Sequence, residues 1–249
     1  MPYAGNNGVR IHYQVEGNGP PVVLQHGSTS SIQAWYQNGY VEPLKADYQL
    51  ILIDARGHGD SDKPHDSASY ALPLRVSDIV AVLDELGIEK AHYYGYSMGG
   101  WIGFGMAKHA VDRVRSFILG GAHPYADSAA AFHGVDGTDP DAFITAVEKF
   151  AGTRVTPARR ELILGNDLQA LAAAMMRDRD SLEDVVPTMR MPCLFFVGED
   201  DPRFPKMQEC VKSMPNATFV SLPDLNHSQT NMRSDLVLPH VTKFLREHS

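Results

Sequence analysis

Gly95-Tyr96-Ser97-Met98-Gly99 is the stretch of this chain from which its fold can be argued. It reads Gly-x-Ser-x-Gly, follows the strand-like segment 90–94 and precedes a segment, 100–107, with helical potential. A serine on so tight a strand-to-helix turn projects its hydroxyl away from the sheet, and the flanking glycines leave room for a strained backbone. The N-terminus of the helix favours developing negative charge. The pattern predicts a nucleophilic Ser97, provided that the surrounding residues agree, because such a motif also occurs by chance in glycine-rich turns.

Short apolar segments alternate with helical segments along much of the chain. Asn7-Gly8 predicts a hairpin over residues 3–16. Runs such as Leu50-Ile51-Leu52-Ile53 are apolar without alternation, which is typical of strands covered on both faces. Helical segments are predicted at 33–46, 74–86, 206–214 and from 234 onward, the second of them stopped by Gly87. This order predicts an α/β fold with a mostly parallel, doubly wound sheet flanked by helices.

The alternation of strands and helices breaks in the middle of the chain. From about residue 123 to residue 186 there are Ala-rich and Met-rich helical segments and no convincing strand. We interpret this piece as a helical cap inserted over the carboxyl edge of the sheet. The predicted organisation is therefore a core of residues 1–122 and 187–249 with a cap of residues 123–186.

Composition limits the function classes. A chain of 249 residues can bury one sizeable core, and its formal net charge of −8 argues against a nucleic-acid partner, which needs a basic surface. The first residues are too polar for a signal peptide, and no apolar run approaches the roughly 18 residues of a transmembrane helix. Cys193 and Cys210 are the only cysteines, and a disulfide between them is not expected. We therefore expect a cytoplasmic protein that acts on a small molecule, without a membrane partner.

Ser97 needs a base, because a serine hydroxyl is a weak nucleophile at neutral pH. Of the 11 histidines, His227 is the best placed, since it lies in the loop between the last strand and the last helix. Loops at the carboxyl ends of parallel strands are where such sheets bind ligands. Three acids that could orient the base, Glu199, Asp200 and Asp201, follow a strand. Clustered acids at such a place are otherwise common as helix caps.

An oxyanion would need preorganised donors. The backbone N–H of Met98, after the nucleophile, is one, and we expect the second to be the N–H of Ser28 in His26-Gly27-Ser28. Gly27 lets the backbone approach substrate, and His26 is interpreted as a structural ring that orders this loop. No clustered spacing of Cys, His or Asp predicts a metal site, and the expected chemistry uses no cofactor.

Four segments together resemble the α/β-hydrolase superfamily. They are His26-Gly27-Ser28, the stretch 54–64, Gly95-Tyr96-Ser97-Met98-Gly99-Gly100, and Gly198-Glu199-Asp200-Asp201-Pro202 with Asn226-His227. They stand in the family's order over nearly the whole chain, which is specific for the fold and much less so for the substrate.

The resemblance implies roles for the remaining candidates. Its Gly-x-x-Asp pattern makes Asp201 the acid, with Asp200 as the fallback, and the order Ser97, Asp201, His227 is that of α/β-hydrolases. His58, in the stretch 54–64, receives a structural role. Related dehalogenases and many epoxide hydrolases carry an aspartate at the elbow, so the serine excludes their covalent route here.

The predicted function is a cofactor-independent serine hydrolase that cleaves a small or medium carboxylic ester or lactone through an acyl-enzyme. Two alternatives stay open. One is a C–C bond hydrolase of ring-cleavage diketones, which would need a basic group for the substrate's carboxylate. Several arginines in or near the cap are available for it, although arginines on helix surfaces usually face water: Arg154, Arg159, Arg160, Arg177 and Arg190. The other is a ligand receptor that keeps the triad and turns over slowly. Most apolar cap residues are expected to bind the cap to the sheet, while a few line an acyl pocket, for which the candidates are Met175, Met176, Phe132 and Phe143.

Overall fold

A single eight-stranded sheet organises the chain, of which the computed structural model describes residues 2–249. The strands are Tyr3–Asn6 (β1), Val9–Glu16 (β2), Pro21–Gln25 (β3), Gln49–Ile53 (β4), Ala91–Tyr96 (β5), Val114–Gly120 (β6), Cys193–Gly198 (β7) and Ala217–Leu222 (β8). Their spatial order is β1-β2-β4-β3-β5-β6-β7-β8. β2 is antiparallel to both neighbours, and all pairs from β4 to β8 are parallel. The predicted mostly parallel α/β sheet is confirmed.

Helices connect the strands and cover the sheet. The α-helices are Gln33–Gln37 (α1), Val41–Leu44 (α2), Leu72–Glu85 (α3), Met98–His109 (α4), Pro140–Ala151 (α5), Pro157–Leu164 (α6), Leu168–Met175 (α7), Phe204–Lys212 (α8), His227–Met232 (α9) and Ser234–His248 (α10). Short 3-10 turns lie at Ser67–Tyr70, Val111–Arg113, Ala130–Phe132 and Glu183–Thr188. No helix in the described range is both long enough and apolar enough to cross a membrane.

The sheet separates two apolar layers, because its central strands are buried on both faces. α3, α4 and α8 pack on one face, where Ile79, Ile102 and Met207 join the core. α1, α2 and α10 pack on the other, with Trp35 and Val241 in the core. Helices on both faces are what a doubly wound sheet with right-handed crossovers requires.

The middle of the chain has an apolar core of its own. Phe132, Phe143 and Leu171 are fully buried there, and α5, α6 and α7 each begin with a side-chain cap, from Asp139, Thr156 and Asp167. The described part of this region contains no strand, only an isolated bridge between Asp127 and Arg179.

Two details differ from the sequence-based expectation. The helix predicted at 33–46 is two short helices, because the chain turns at Gly39, whose φ is +78°. The boundary predicted at residue 186 also divides a packed unit. Leu182, Val185 and Val186 pack into the core that includes α4, and not into the separate apolar core of the cap.

Candidate active site

The turn between β5 and α4 holds Ser97 in a backbone conformation that few L residues adopt. Its φ is +55° and its ψ is −110°, and its N–H donates to Gly120 O at 2.8 Å. The glycines on either side are required by close approach. A Cβ at Gly95 would lie 2.3 Å from Gly99 O, and one at Gly99 would lie 2.1 Å from Gln25 O. The predicted tight strand-to-helix turn is therefore present. Glycine is needed at positions 95 and 99 because a larger residue would collide with the neighbouring backbone.

Ser97, His227 and Asp201 form a continuous hydrogen-bonded chain. His227 Nε2 lies 2.9 Å from Ser97 Oγ, and His227 Nδ1 lies 2.6 Å from Asp201 Oδ2. The other carboxylate oxygen of Asp201 accepts from the Arg203 N–H at 3.0 Å and from Arg203 Nη1 at 3.3 Å. Asp200, the alternative acid, is exposed, whereas the Asp201 side chain is fully buried. The structure thus brings together the three side chains that the sequence predicts.

Local structure fixes the position of His227. It is the first residue of α9, whose N-cap Asn226 forms a reciprocal capping box with Gln229. The Tyr96 hydroxyl donates to the backbone carbonyl of His227, and the two rings lie 5.2 Å apart. Tyr96 is the last residue of β5 and directly precedes Ser97. The end of this strand therefore positions both the Ser97 hydroxyl and the His227 imidazole.

The electrostatics favour a neutral imidazole beside a charged carboxylate. Burial lowers the pKa of His227, and this outweighs the hydrogen bond to Asp201, which would raise it. Burial alone would raise the pKa of Asp201. The hydrogen bond from His227, together with the charges of His227 and Arg203, outweighs it, so that the pKa of this carboxyl is lowered. At His227 the effect of burial on the pKa therefore exceeds that of the neighbouring carboxylate.

The loop after β3 lies against Ser97. A Cβ added to Gly27 would come 3.3 Å from Ser97 Cβ, so the backbone passes close to the hydroxyl. Within the described chain, the N–H groups of Ser28 and Met98 have no acceptor. His26 Nε2 accepts from the Ala55 N–H at 3.1 Å, and its Nδ1 lies 2.8 Å from Gly27 O. Both nitrogens of His26 therefore serve the loop's own geometry.

One cap side chain reaches this loop. Arg159, from α6, donates through Nη2 to Thr29 Oγ1 at 2.7 Å and to Thr29 O at 3.2 Å. Thr29 directly follows Ser28 and has a φ of +57°. The cap and the loop after β3 are thus joined by hydrogen bonds.

A cavity of about 280 Å³ opens beside these groups, lined by Ser28 and Met98 together with cap residues. Of the four apolar pocket candidates, only Met175 lines it. Phe132 and Phe143 are wrong as pocket residues, because both are fully buried inside the cap, with ring centroids 5.8 Å apart. Met175 and Met176 both pack against the cap core, and only Met175 also reaches the cavity.

The cavity is also lined by two arginines and a tryptophan that the sequence did not lead us to expect there, Arg75, Arg179 and Trp101. Arg75 offered a signal, since it stands beside Val76 and one turn before Ile79, on the apolar face of α3. A cation at such a helix position is unusual, because charged side chains are rarely buried without a partner.

One group of potential metal ligands occurs in the described chain. His12, Asp54 and Asp60 approach one another. Asp54 is already engaged by His12 Nδ1 at 2.7 Å and by the N–H groups of Ile32 and Asp60. This carboxylate therefore organises the loop after β4, in the stretch 54–64, where His58 is also buried with its Nδ1 3.0 Å from Arg56 O.

Comparisons with known proteins place this geometry in a family. The sequence model of the family described as alpha/beta hydrolase fold matches residues 20–162, which is more than half of the chain. A Shewanella oneidensis protein named cis-3-alkyl-4-alkyloxetan-2-one decarboxylase is 37% identical over 119 residues, covering 47% of this chain and 37% of that relative. The chain spans less than half the length of the first curated relatives that it matches.

Solved structures match over nearly the full length. An enol-lactonase from Burkholderia xenovorans superposes with a TM-score of 0.84 at 24% identity, covering 98% of this chain and all of that one. An esterase from a Rhodococcus species gives a TM-score of 0.81 at 27% identity, covering 99% and 98% of the two chains. From its matched sequence, its sheet and its strand-end residues, the chain belongs to the α/β hydrolase fold family.

Proposed function

We propose that this protein is a serine hydrolase that cleaves a carboxylic ester or lactone through an acyl-enzyme. The observation that carries the proposal is the hydrogen-bonded chain from Ser97 through His227 to Asp201, on a strained turn beside two unpaired backbone N–H groups. Nucleophile, base, orienting acid and oxyanion donors are the complete set that acyl transfer requires.

In the proposed reaction, Ser97 Oγ attacks the substrate carbonyl while His227 Nε2 accepts its proton. Asp201 holds the tautomer in which Nδ1 carries a proton, and its charge stabilises the imidazolium that forms. The N–H groups of Ser28 and Met98 bind the oxyanion. His227 then protonates the leaving alcohol, and water activated by the same ring releases the acyl group from Ser97. We place the cap over this site at residues 123–181 rather than at the 123–186 expected from sequence, because Leu182, Val185 and Val186 pack into the core that includes α4.

The comparisons support an ester or lactone substrate. The names of the matched structures include an enol-lactonase and an esterase, and the carbonyl chemistry of both suits this set of groups. Relatives named as epoxide hydrolases also match, but over less than half of this chain.

The experiment that tests the proposal is labelling and turnover of a Ser97→Ala variant. A fluorophosphonate should label wild type at Ser97, and p-nitrophenyl acetate should be hydrolysed over many turnovers. Ser97→Ala should lose labelling and turnover, the latter by about a million-fold, because triad members act as a unit. Ser221→Ala is the matched control, since this serine is exposed on β8 and should retain both. Labelling elsewhere, or activity that persists in Ser97→Ala, would refute the proposal, and a single turnover would indicate a receptor.

A further inference from the structure

Two arginines in the cavity have no carboxylate partner. Arg75 is buried, with 4% of its surface exposed, and donates from Nε to Tyr70 O and from Nη2 to Ala174 O, both at 2.8 Å. Its Nη1 meets only the thioether of Met98, at 3.1 Å. Arg179 is partly buried, and its guanidinium donates to no acceptor in residues 2–249. An arginine carries five N–H donors, so most of those on Arg179 are unused.

Both guanidiniums lie over one aromatic ring. Arg179 Cζ lies 4.6 Å from the centroid of Trp101, and Arg75 Cζ lies 5.9 Å from it. The ring offers a cation–π attraction to each cation but no counter-charge. The indole Nε1 is itself buried, and no described residue accepts its proton. The cluster of Arg75, Arg179 and Trp101 therefore presents donors and positive charge without acceptors.

Three acids, Asp127, Asp178 and Asp180, line the same cavity, but in the described chain none of them forms an ion pair with either guanidinium. Asp78 is paired with Arg56, with both carboxylate oxygens 2.6 Å from guanidinium nitrogens. Asp178 accepts from the Ala129 N–H at 2.7 Å. Asp127 is held to Arg179 through backbone hydrogen bonds, but its carboxylate forms no ion pair with the guanidinium in the described chain. Uncompensated buried charge is costly, so a site that keeps two such cations is suited to binding an anion.

The like charges also act on each other. Burial, and next the charge of Arg179, lower the pKa of Arg75 to about 9. Burial, and next the charge of Arg203, lower that of Arg179 to about 10. Both groups remain cationic at neutral pH, and an anion placed at the cluster would relieve both effects.

The cluster shares the cavity with the proposed oxyanion donors. Met98 supplies one of these N–H groups through its backbone while its side chain touches Arg75. A neighbouring cavity of about 340 Å³ shares Asp127, Ser128 and Phe150 with the first. It is also lined by Lys149, Arg203 and Lys206. The adjoining space thus has three basic side chains against one carboxylate, an excess of positive charge, although the chain as a whole has a net charge of −8.

We propose that the substrate is an anionic ester or lactone whose carboxylate is bound by Arg179 and Arg75 while Ser97 attacks its carbonyl. A planar carboxylate matches the fork of a guanidinium, and the pairing is charge-assisted. This inference rests on the proposed function and adds to it the charge of the substrate.

Matched substrate pairs test the inference on the wild-type protein. The first pair is mono-p-nitrophenyl adipate and its methyl ester, which differ in a charge on the acyl side. The second pair is 4-acetoxybenzoate and its methyl ester, which differ in a charge on the leaving side. In at least one pair, kcat/KM should favour the carboxylate by about 10- to 100-fold, as expected for hydrogen bonds to a charged group. Neutral members preferred or equal in both pairs would overturn the inference.

Single substitutions test which side chains cause the preference for the carboxylate substrates. Arg179→Met should abolish the ratio of kcat/KM between charged and neutral members, mainly through KM, and the ratio is insensitive to the fraction of folded protein. Arg160→Met is the matched control, because this half-exposed cap arginine pairs with Asp141 and does not line the cavity, and it should keep the wild-type ratio. A wild-type ratio in Arg179→Met would overturn the assignment. If the neutral esters are hydrolysed and the carboxylates are not preferred, the inference about substrate charge fails while the proposed function stands. If no ester is hydrolysed and Ser97 is not labelled, both the proposed function and the inference fail.

Discussion

Replacing Ser97 with glycine should stabilise the protein relative to replacing it with alanine. The residue has a φ of +55° and a ψ of −110°, which costs an L residue about 1–3 kcal/mol. Glycine removes that cost but loses about 0.5–1 kcal/mol through the greater freedom of the unfolded chain. Both variants lack the hydroxyl, so the lost hydrogen bond to His227 cancels between them. The net expectation is that Ser97→Gly is about 1 kcal/mol more stable than Ser97→Ala.

Urea and thermal unfolding followed by circular dichroism would measure this difference. For a chain of this size, 1 kcal/mol corresponds to about 2–4 °C in Tm. Ala158→Gly is a suitable control, because Ala158 is exposed in α6, where glycine should destabilise by up to about 1 kcal/mol. A Ser97→Gly variant equal to or less stable than Ser97→Ala would show that the turn stores no strain.

Three further outcomes follow from the site. Asp201→Asn should lower kcat by about four orders of magnitude, because His227 would no longer be held in the correct tautomer. Asp200→Asn, at an exposed position, should change kcat little, and the reverse order of effects would refute the assignment of the acid. Because burial lowers the pKa of His227, kcat/KM should fall only as pH drops below the ordinary value of about 6.5, and an acid limb above that value would contradict this. Met175→Ala should shift acyl-length preference across a p-nitrophenyl ester series while Met176→Ala should not, and equal effects would contradict the cavity lining.

The strand-end residues could be predicted from sequence because each follows a recognisable local pattern. Ser97 lies in a motif with its own turn geometry, and His227 and Asp201 follow apolar strands whose carboxyl ends must meet at one sheet edge. The cavity could not be predicted in this way. Whether an apolar residue such as Phe132 faces the cap interior or the substrate depends on how the cap helices rotate, which periodicity alone does not give.

The cluster of Arg75, Arg179 and Trp101 could not be predicted from any single segment of the sequence. Arg75 and Arg179 are separated by 104 positions in the chain. The sequence does not show whether either guanidinium forms an ion pair with a carboxylate in the folded protein. Only the folded chain shows that Asp78 is already taken by Arg56. The position of Arg75 on the apolar face of α3 was a local signal, but its meaning required its partners to be known.

The hydrogen bonds from Arg159 to Thr29 couple the position of the cap to the geometry of the proposed oxyanion site. A motion that carried α6 away from the sheet would break both bonds and release the loop whose Ser28 N–H is a proposed oxyanion donor. Under the proposed mechanism, opening for substrate entry and dismantling of the oxyanion site are then one event. A form of the protein with these bonds broken would lack the complete oxyanion site, so the proposed reaction would require the cap to be in the position described here.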